Sequence, residues 1–241
     1  MFGAATPATI VRVEELTILP QNTPSTVSIL GGTGQQGRGL AQRFAHAGLQ
    51  VTIGSRDVER AQAAVAAWTG PAAATPIRVA DNASAVAAAV TILAVPFGTV
   101  DLLLQELHPH FRAGSLVIDL TVPVTFAAGK MAMLDVAEGS AAEHVRARLP
   151  SAVRLACAFK TLPAHLLGAG VESIDCDEFV CGDSEVARSE ASALVARLPG
   201  LRAVDVGPLS RARSIEHLTA LAIAINRRHK IHDARFRVVG L

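Results

Sequence analysis

Tyrosine is absent from this 241-residue chain. Its absence removes the Tyr–Lys proton-transfer pair on which the large class of short-chain dehydrogenases relies. Aromatic residues make up only 4% of the chain, yet half of the residues are hydrophobic, with abundant alanine and valine, so a sizeable core is still expected. Cysteine is scarce. Cys157, Cys176 and Cys181 show neither C-x-x-C spacing nor a histidine cluster, and read as small buried hydrophobes in a reducing compartment. The lack of any metal constellation argues against zinc-dependent alcohol dehydrogenation. Charge of neither sign dominates, with 22 basic against 21 acidic residues, which gives no argument for nucleic acid or an anionic membrane surface. No apolar run reaches the length of a membrane span, and residues 1–26 lack the positive n-region and apolar core of a signal peptide. The expectation is a cytoplasmic protein of one large domain, or a main domain plus a small one, with small-molecule partners, no nucleic acid and no membrane.

What the chain does contain is Val27-Ser28-Ile29-Leu30 running into Gly31-Gly32-Thr33-Gly34-Gln35-Gln36-Gly37. An apolar β-branched strand, a glycine turn and a helix opening near Gln35 form the context a dinucleotide-binding βαβ unit demands, and Gly32, Gly34 and Gly37 fit its G-x-G-x-x-G spacing. Gly32 is expected to allow the tight turn, Gly34 to let a pyrophosphate approach the backbone, and Gly37 to let helix pack on strand. The helix start would aim free N–H groups and its positive dipole end at the phosphates. Gly54-Ser55-Arg56 stands where such a unit reads the ribose. An acidic residue there would accept from the 2′-hydroxyl of NAD; a hydroxyl and a guanidinium suit the 2′-phosphate of NADP. Arg60, one helical turn on, shares that face, and Asp57 is placed to cap the helix between them.

Strand and helix signals alternate along the remainder, as in a parallel sheet covered on both faces. Strands are expected at 77–80, 90–95, 115–120, 153–156, 178–181 and 202–204. Helices are expected at 82–89, 100–107, 139–149, 184–198 and 210–230, and loops at 70–76 and 121–130. The expected fold is therefore α/β, a Rossmann-type doubly wound parallel sheet with a small C-terminal α/β part. Residues 1–26 form an N-terminal extension, 27–157 the NADP-binding domain and 158–241 the part completing the cleft.

Three strand ends should converge at the carboxyl edge, where open α/β sheets bind ligands: Pro96-Phe97, Asp119 to Pro123, and Phe159 to Pro163. Val95, Pro96 and Phe97 either wall the ribose and nicotinamide or merely end a strand with a core aromatic. Val122 and Pro123 are placed to pack on the nicotinamide, and Asp119 to hydrogen-bond the turn after its strand.

These motifs resemble the NADPH-dependent reductases of coenzyme F420, the 8-hydroxy-5-deazaflavin. The similar pieces are Gly31 to Leu40, Ile53 to Arg56, Leu93 to Phe97, Phe179 to Asp183 and Asp205 to Ser210, with Arg213 and Glu216; in order, they cover roughly residues 27–225. The resemblance implies hydride transfer between nicotinamide C4 and deazaflavin C5, NADP(H) and F420 as co-substrates, and a homodimer. It also places the adenosine phosphate end at Thr33, Ser55, Arg56 and Arg60. Where members of the family carry a histidine near the deazaflavin, this chain has Lys160, read either as a donor to an anionic ring oxygen or as a solvated loop lysine. The basic run from Asn226 to Arg237 likewise reads as a grip on the deazaflavin tail or as a solvated helix end. Lys160, Leu162, Pro163, Val122 and Pro123 are thus the expected deazaflavin contacts, and no acid–base residue is expected. Two other readings are compatible with the sequence: a reductase of an imine, enamine or flavin, and a non-catalytic NADP sensor.

Overall fold

In the computed structural model the described residues are 24–68, 73–127, 130–168 and 172–241. Most of the N-terminal extension, and the first part of the loop expected at 70–76, lie outside them. The chain begins with β1 (Thr26–Leu30), α1 (Gln35–His46), β2 (Gln50–Ser55), α2 (Val58–Ala66), β3 (Ile77–Asp81) and α3 (Asn82–Val86). It continues with β4 (Val90–Leu93), α4 (Val100–Leu107), β5 (Leu116–Asp119), β6 (Val124–Ala127), β7 (Lys130–Met133) and α5 (Ala141–Arg148). Last come β8 (Arg154–Cys157), α6 (Ala164–Gly168), β9 (Cys176–Gly182), α7 (Glu185–Val195), β10 (Leu201–Pro208) and α8 (Ala212–His229).

Eight strands form one sheet in the order β10-β9-β8-β5-β4-β1-β2-β3. Every pairing is parallel except β8 with β9. The chain therefore winds outward from β1 in both directions, and the switch falls between β1 and β4, the position at which such sheets bind nucleotides. The inner strands are apolar on both faces because helices cover both, and β4 and β5 are buried at every residue. On one face Leu40 and Phe44 of α1 and Ala191 and Leu194 of α7 pack on the sheet; on the other, Leu104 of α4 and Val145 of α5 do.

Asp57, Asp81, Ser140 and Ser184 cap α2, α3, α5 and α7 with their side chains. Helix α1 differs: it starts on Gly34 with no side-chain cap and no acidic residue in its first turn.

The structure departs from expectation at 121–130, where β6 and β7 form an antiparallel hairpin. Only the first residue of β6 is partly covered and the other three are exposed, so the alternation that marks a half-buried strand is missing from its sequence. Strands β9 and β10 run longer than the 178–181 and 202–204 expected, and β9 takes in a buried Asp177 beside the buried Glu178.

Candidate active site

Three connected cavities run along the carboxyl edge of the sheet. The first, about 440 Å3, is lined by Thr33, Ser55, Arg56, Asp57 and Arg60. It shares Thr33, Ser55 and Arg56 with a second of about 500 Å3, which continues over Gly31, Gly34 and Asn82 to Val95, Pro96 and Leu102. Gly34, Val95 and Pro96 in turn open into a third, of about 600 Å3. Gln35, Gln36, Gly37, Phe97, Val122, Phe126, Lys160 to Pro163 and α8 residues such as Asn226 line this last part.

The glycine turn explains the middle of the groove. Gly31, at φ +77°, makes the tight turn expected of Gly32. Gly32 instead lies against β2, where a Cβ would come within 2.7 Å of the Ile53 side chain, and it lines none of the three cavities. A Cβ on Gly37 would meet Gly31 O at 2.5 Å, so helix and turn touch backbone to backbone. On Gly34 a Cβ would approach only Gly31 O, at 3.3 Å, and would otherwise project into the groove. With no cap on α1, its first-turn N–H groups remain for a ligand there. That combination fits the pyrophosphate of a dinucleotide.

At the outer end Arg56 and Arg60 are exposed, and neither guanidinium has an acidic partner among the described residues. Ser55 Oγ donates to Asp57 O at 2.8 Å, while Asp57 Oδ1 accepts from Arg60 N–H at 3.0 Å. Asp57 therefore turns toward the helix start, and two guanidiniums are left to face an anion.

The inner end is built on the turn Phe159-Lys160-Thr161. Phe159 has φ +61° and packs edge-on against Phe44 at 5.9 Å between ring centroids. Gln36 Nε2 donates to Phe159 O at 2.5 Å, so this motif side chain reaches across to the turn. Lys160 O accepts from Thr219 Oγ1 of α8 at 2.9 Å. The Lys160 ammonium is wholly buried and donates to Asp119 Oδ2 at 2.6 Å, to Glu216 Oε1 at 3.2 Å and to Thr121 O. All three of its protons have acceptors. Burial alone would lower its pKa, but the carboxylates of Asp119 and Glu216 outweigh that and hold it above the usual lysine value. Lys160 is thus neither a solvated loop lysine nor a ring donor in this arrangement; its side chain braces the wall from behind. Asp119 also accepts from Thr121 N–H and Oγ1, at 2.9 and 2.7 Å, as its place at the strand end suggests. Glu216 completes the brace by accepting from Ala141 N–H at 3.1 Å and Ala142 N–H at 3.3 Å, at the start of α5. Burial pushes its pKa up, against the pull of Lys160.

Of the remaining expected contacts, Leu162, Pro163 and Val122 line the inner cavity. Pro123 is buried outside its lining, and its carbonyl accepts from Leu134 N–H at 2.6 Å to anchor the hairpin. Phe97 lies on His144 of α5, with ring centroids 5.0 Å apart. In the basic run, Arg235 pairs with Asp233 and Arg237 with Asp175, so part of its charge is internally balanced. Asn226, the first residue of that run, lines the inner cavity; Asn82, Leu102 and Phe126 also line the groove, and the sequence carried no local sign of those three.

Among the described residues no helix is long and apolar enough to cross a membrane, and no cluster of His, Cys, Asp or Glu could hold a metal ion. Residues 26–123 match the family model described as NADP oxidoreductase, coenzyme F420-dependent. The F420-dependent NADP reductase of Methanothermobacter thermautotrophicus is 38% identical over 221 residues, covering 89% of this chain and 95% of its own length. That of Methanothermobacter marburgensis is also 38% identical, covering 89% and 98%. A crystal structure from Arthrobacter sp. FB24, assigned as an F420-dependent NADP reductase, superposes with a TM-score of 0.73 at 24% identity, covering 88% of this chain and 98% of its own, and so shares the fold. With that identity sustained over nearly the whole of both chains, this protein belongs to the family of F420-dependent NADP reductases.

Proposed function

We propose that the protein transfers a hydride between NADP(H) and the deazaflavin coenzyme F420. The observation that carries this reading is the unbroken groove, which orders three different chemistries in one line. Two guanidiniums with no acidic partner among the described residues lie at one end, open helix N–H groups in the middle, and a largely apolar cleft closed by the 159–163 turn and α8 at the other. A dinucleotide laid along it puts its 2′-phosphate at Arg56 and Arg60, its pyrophosphate at Gly34, and its nicotinamide beside Pro96, Val122 and Leu162. Thr33, Gln35 and Val95 line the path between. Residues 27–157 then hold NADP, and 158–241 complete the slot for the second ring.

Hydride transfer between two ring carbons asks the protein to stack the rings at about 3–3.5 Å and to exclude water. Apolar walls serve that task better than charged ones, which agrees with the withdrawal of Lys160 behind the surface. The test is to mix the protein with NADPH and oxidised F420 and follow the deazaflavin absorbance band. Turnover is expected; tight NADPH binding without any change in that band would overturn the assignment.

A homodimer is part of the proposal. Its support is the outer side of α8, where Leu221 is half exposed and Leu218 and Ile225 are only partly covered. Sedimentation should give twice the chain mass, and Leu221→Glu should shift the equilibrium toward monomer. A cytoplasmic location accords with three buried, free cysteines.

A further inference from the structure

Glu178 is fully buried in the middle of β9, and among the described residues no cation touches it. Its Oε1 accepts from Lys160 N–H at 3.1 Å, and its Oε2 lies 2.9 Å from Thr161 Oγ1. Thr161 lines the inner cavity, so the carboxyl stands one hydroxyl away from the ring slot. The charged neighbours are engaged elsewhere. On β9 itself, Asp177 points to the opposite face and pairs with Arg202 of β10 at 2.7 Å. Cys176, on the same side as Glu178, is kept a thiol by burial, with its pKa pushed up to about 12. In the turn, the Lys160 ammonium is directed to Asp119 and to Glu216 of α8. On α7, Arg188 pairs with Asp205 of β10.

Resting on the proposed function, hydride transfer to a deazaflavin leaves a proton to be accounted for. The hydride breaks the C4–H bond of NADPH and forms a C–H bond at ring C5; the electron pair that this displaces through the ring is neutralised by a proton at ring nitrogen N1. We propose that Thr161 Oγ1 and Glu178 form the relay for that proton. Thr161 Oγ1–H gives its proton to the ring nitrogen and takes the one held on Glu178 Oε2. The resulting Glu178 carboxylate regains a proton from solvent water once the products leave. In the reverse direction the carboxylate receives the proton through the same hydroxyl. Thr161 is the group that touches the substrate; Glu178 acts through it as the reservoir.

Burial without a cation keeps the acid form of Glu178, moving its pKa from the usual 4.5 up to about 8. A neutral carboxyl can give up a proton near neutral pH, whereas an ordinary carboxylate would face a ring gaining negative charge.

The experiment measures kcat for F420 reduction by NADPH between about pH 6 and 9, in water and in deuterium oxide. The wild type should lose rate on an alkaline limb near pH 8. Glu178→Gln can make both hydrogen bonds, accepting from Lys160 N–H and donating to Thr161 Oγ1, but it carries no transferable proton. Its kcat should fall about a hundred-fold, with the limb and the solvent isotope effect changed and KM for NADPH unchanged. Thr161→Val should fall similarly, and Thr161→Ser should restore the rate. An E178Q variant with wild-type rate and profile overturns the relay while leaving the assigned reaction intact. A wild type that does not turn over F420 overturns the assigned reaction and the relay with it. Independently of turnover, the infrared difference between wild type and E178Q at about pH 6 should show a carboxylic C=O band, and its absence also overturns the relay.

Discussion

Replacing Lys160 with methionine should damage folding far more than it damages cofactor binding. Methionine roughly fills the space of the lysine stem but leaves Asp119 and Glu216 buried without their shared cation, and Thr121 O without a donor. Breaking a buried pair from one side costs about 3–5 kcal/mol. The lower half applies here, because Asp119 keeps two hydrogen bonds from Thr121 and Glu216 keeps those from Ala141 and Ala142. For a chain of this size, about 3–4 kcal/mol corresponds to a fall in Tm of roughly 6–16 °C.

The sign of the pH dependence makes the prediction sharper. Without the ammonium, the Glu216 carboxyl loses the charge that draws its pKa down and rises further. A carboxyl whose folded pKa exceeds its unfolded value destabilises the fold as pH rises between the two. The deficit of K160M should therefore be largest near neutrality and shrink in mild acid. Adding Glu216→Gln should recover part of it, since an amide oxygen still accepts from the α5 amides and needs no cation. Urea unfolding followed by circular dichroism, at two pH values, checks both. A deficit below about 1 kcal/mol at neutral pH, or one that does not vary with pH, would refute the view that Lys160 braces the wall from within.

Three further outcomes follow from the same geometry. Arg56→Ala should raise KM for NADPH at least about ten-fold while leaving KM for NADH and Tm nearly unchanged, since the guanidinium is exposed and has no acidic partner among the described residues; equal losses for both nucleotides would show that it does not read the 2′-phosphate. Gly34→Ala should weaken NADP binding with little change in Tm, because the new methyl enters the groove at a residue with ordinary extended backbone. Gly37→Ala should instead lower Tm by forcing a methyl onto Gly31 O, and calorimetry with and without NADP separates the two. Finally, the urea midpoint of the wild type should drop relative to E178Q as pH rises from about 4.5 to about 8, because over that window the folded state holds a proton that the unfolded state releases; parallel curves would mean that Glu178 is ionised in the fold.

The two ends of the groove differ in how much of them could be read from the chain. Strand, glycine turn and helix start lie within residues 26–37, and a backbone that must turn sharply and leave its amides bare can only be written with glycines and without a cap. Arg56 was legible for the same reason, as the register of β1 with β2 sets Gly54 opposite Leu30 and brings the next residues to the same edge. The inner end has no such local grammar. Lys160 meets Asp119 and Glu216 across separations of 41 and 56 residues, and a lysine in a loop reads as solvated until its partners are known. The strand expected at 178–181 starts on Glu178 and leaves Asp177 outside it, and nothing in that pair of adjacent carboxylates announces that both are buried. The hairpin β6–β7 was missed because most of β6 is exposed and carries no periodicity.

Gln36 ties the two ends together, and its position inside the glycine motif conceals this. The spacing makes it a residue beside the phosphates, and it lines the inner part of the groove. Its amide, however, donates to Phe159 O, 123 positions along the chain. Phe159 occupies a left-handed conformation that costs a non-glycine residue about 1 kcal/mol or more, so the turn holds its shape only because its neighbours over-determine it. Gln36 supplies one restraint from the cofactor loop, Thr219 one from α8, and Glu178 two from β9. A displacement of the glycine loop by an ångström would therefore be passed to the wall on which the second ring must lie. That is the tolerance hydride transfer least permits. Removing the amide with Gln36→Leu should accordingly lower kcat more than it raises KM for NADPH, whereas a residue that only bound phosphate would do the reverse.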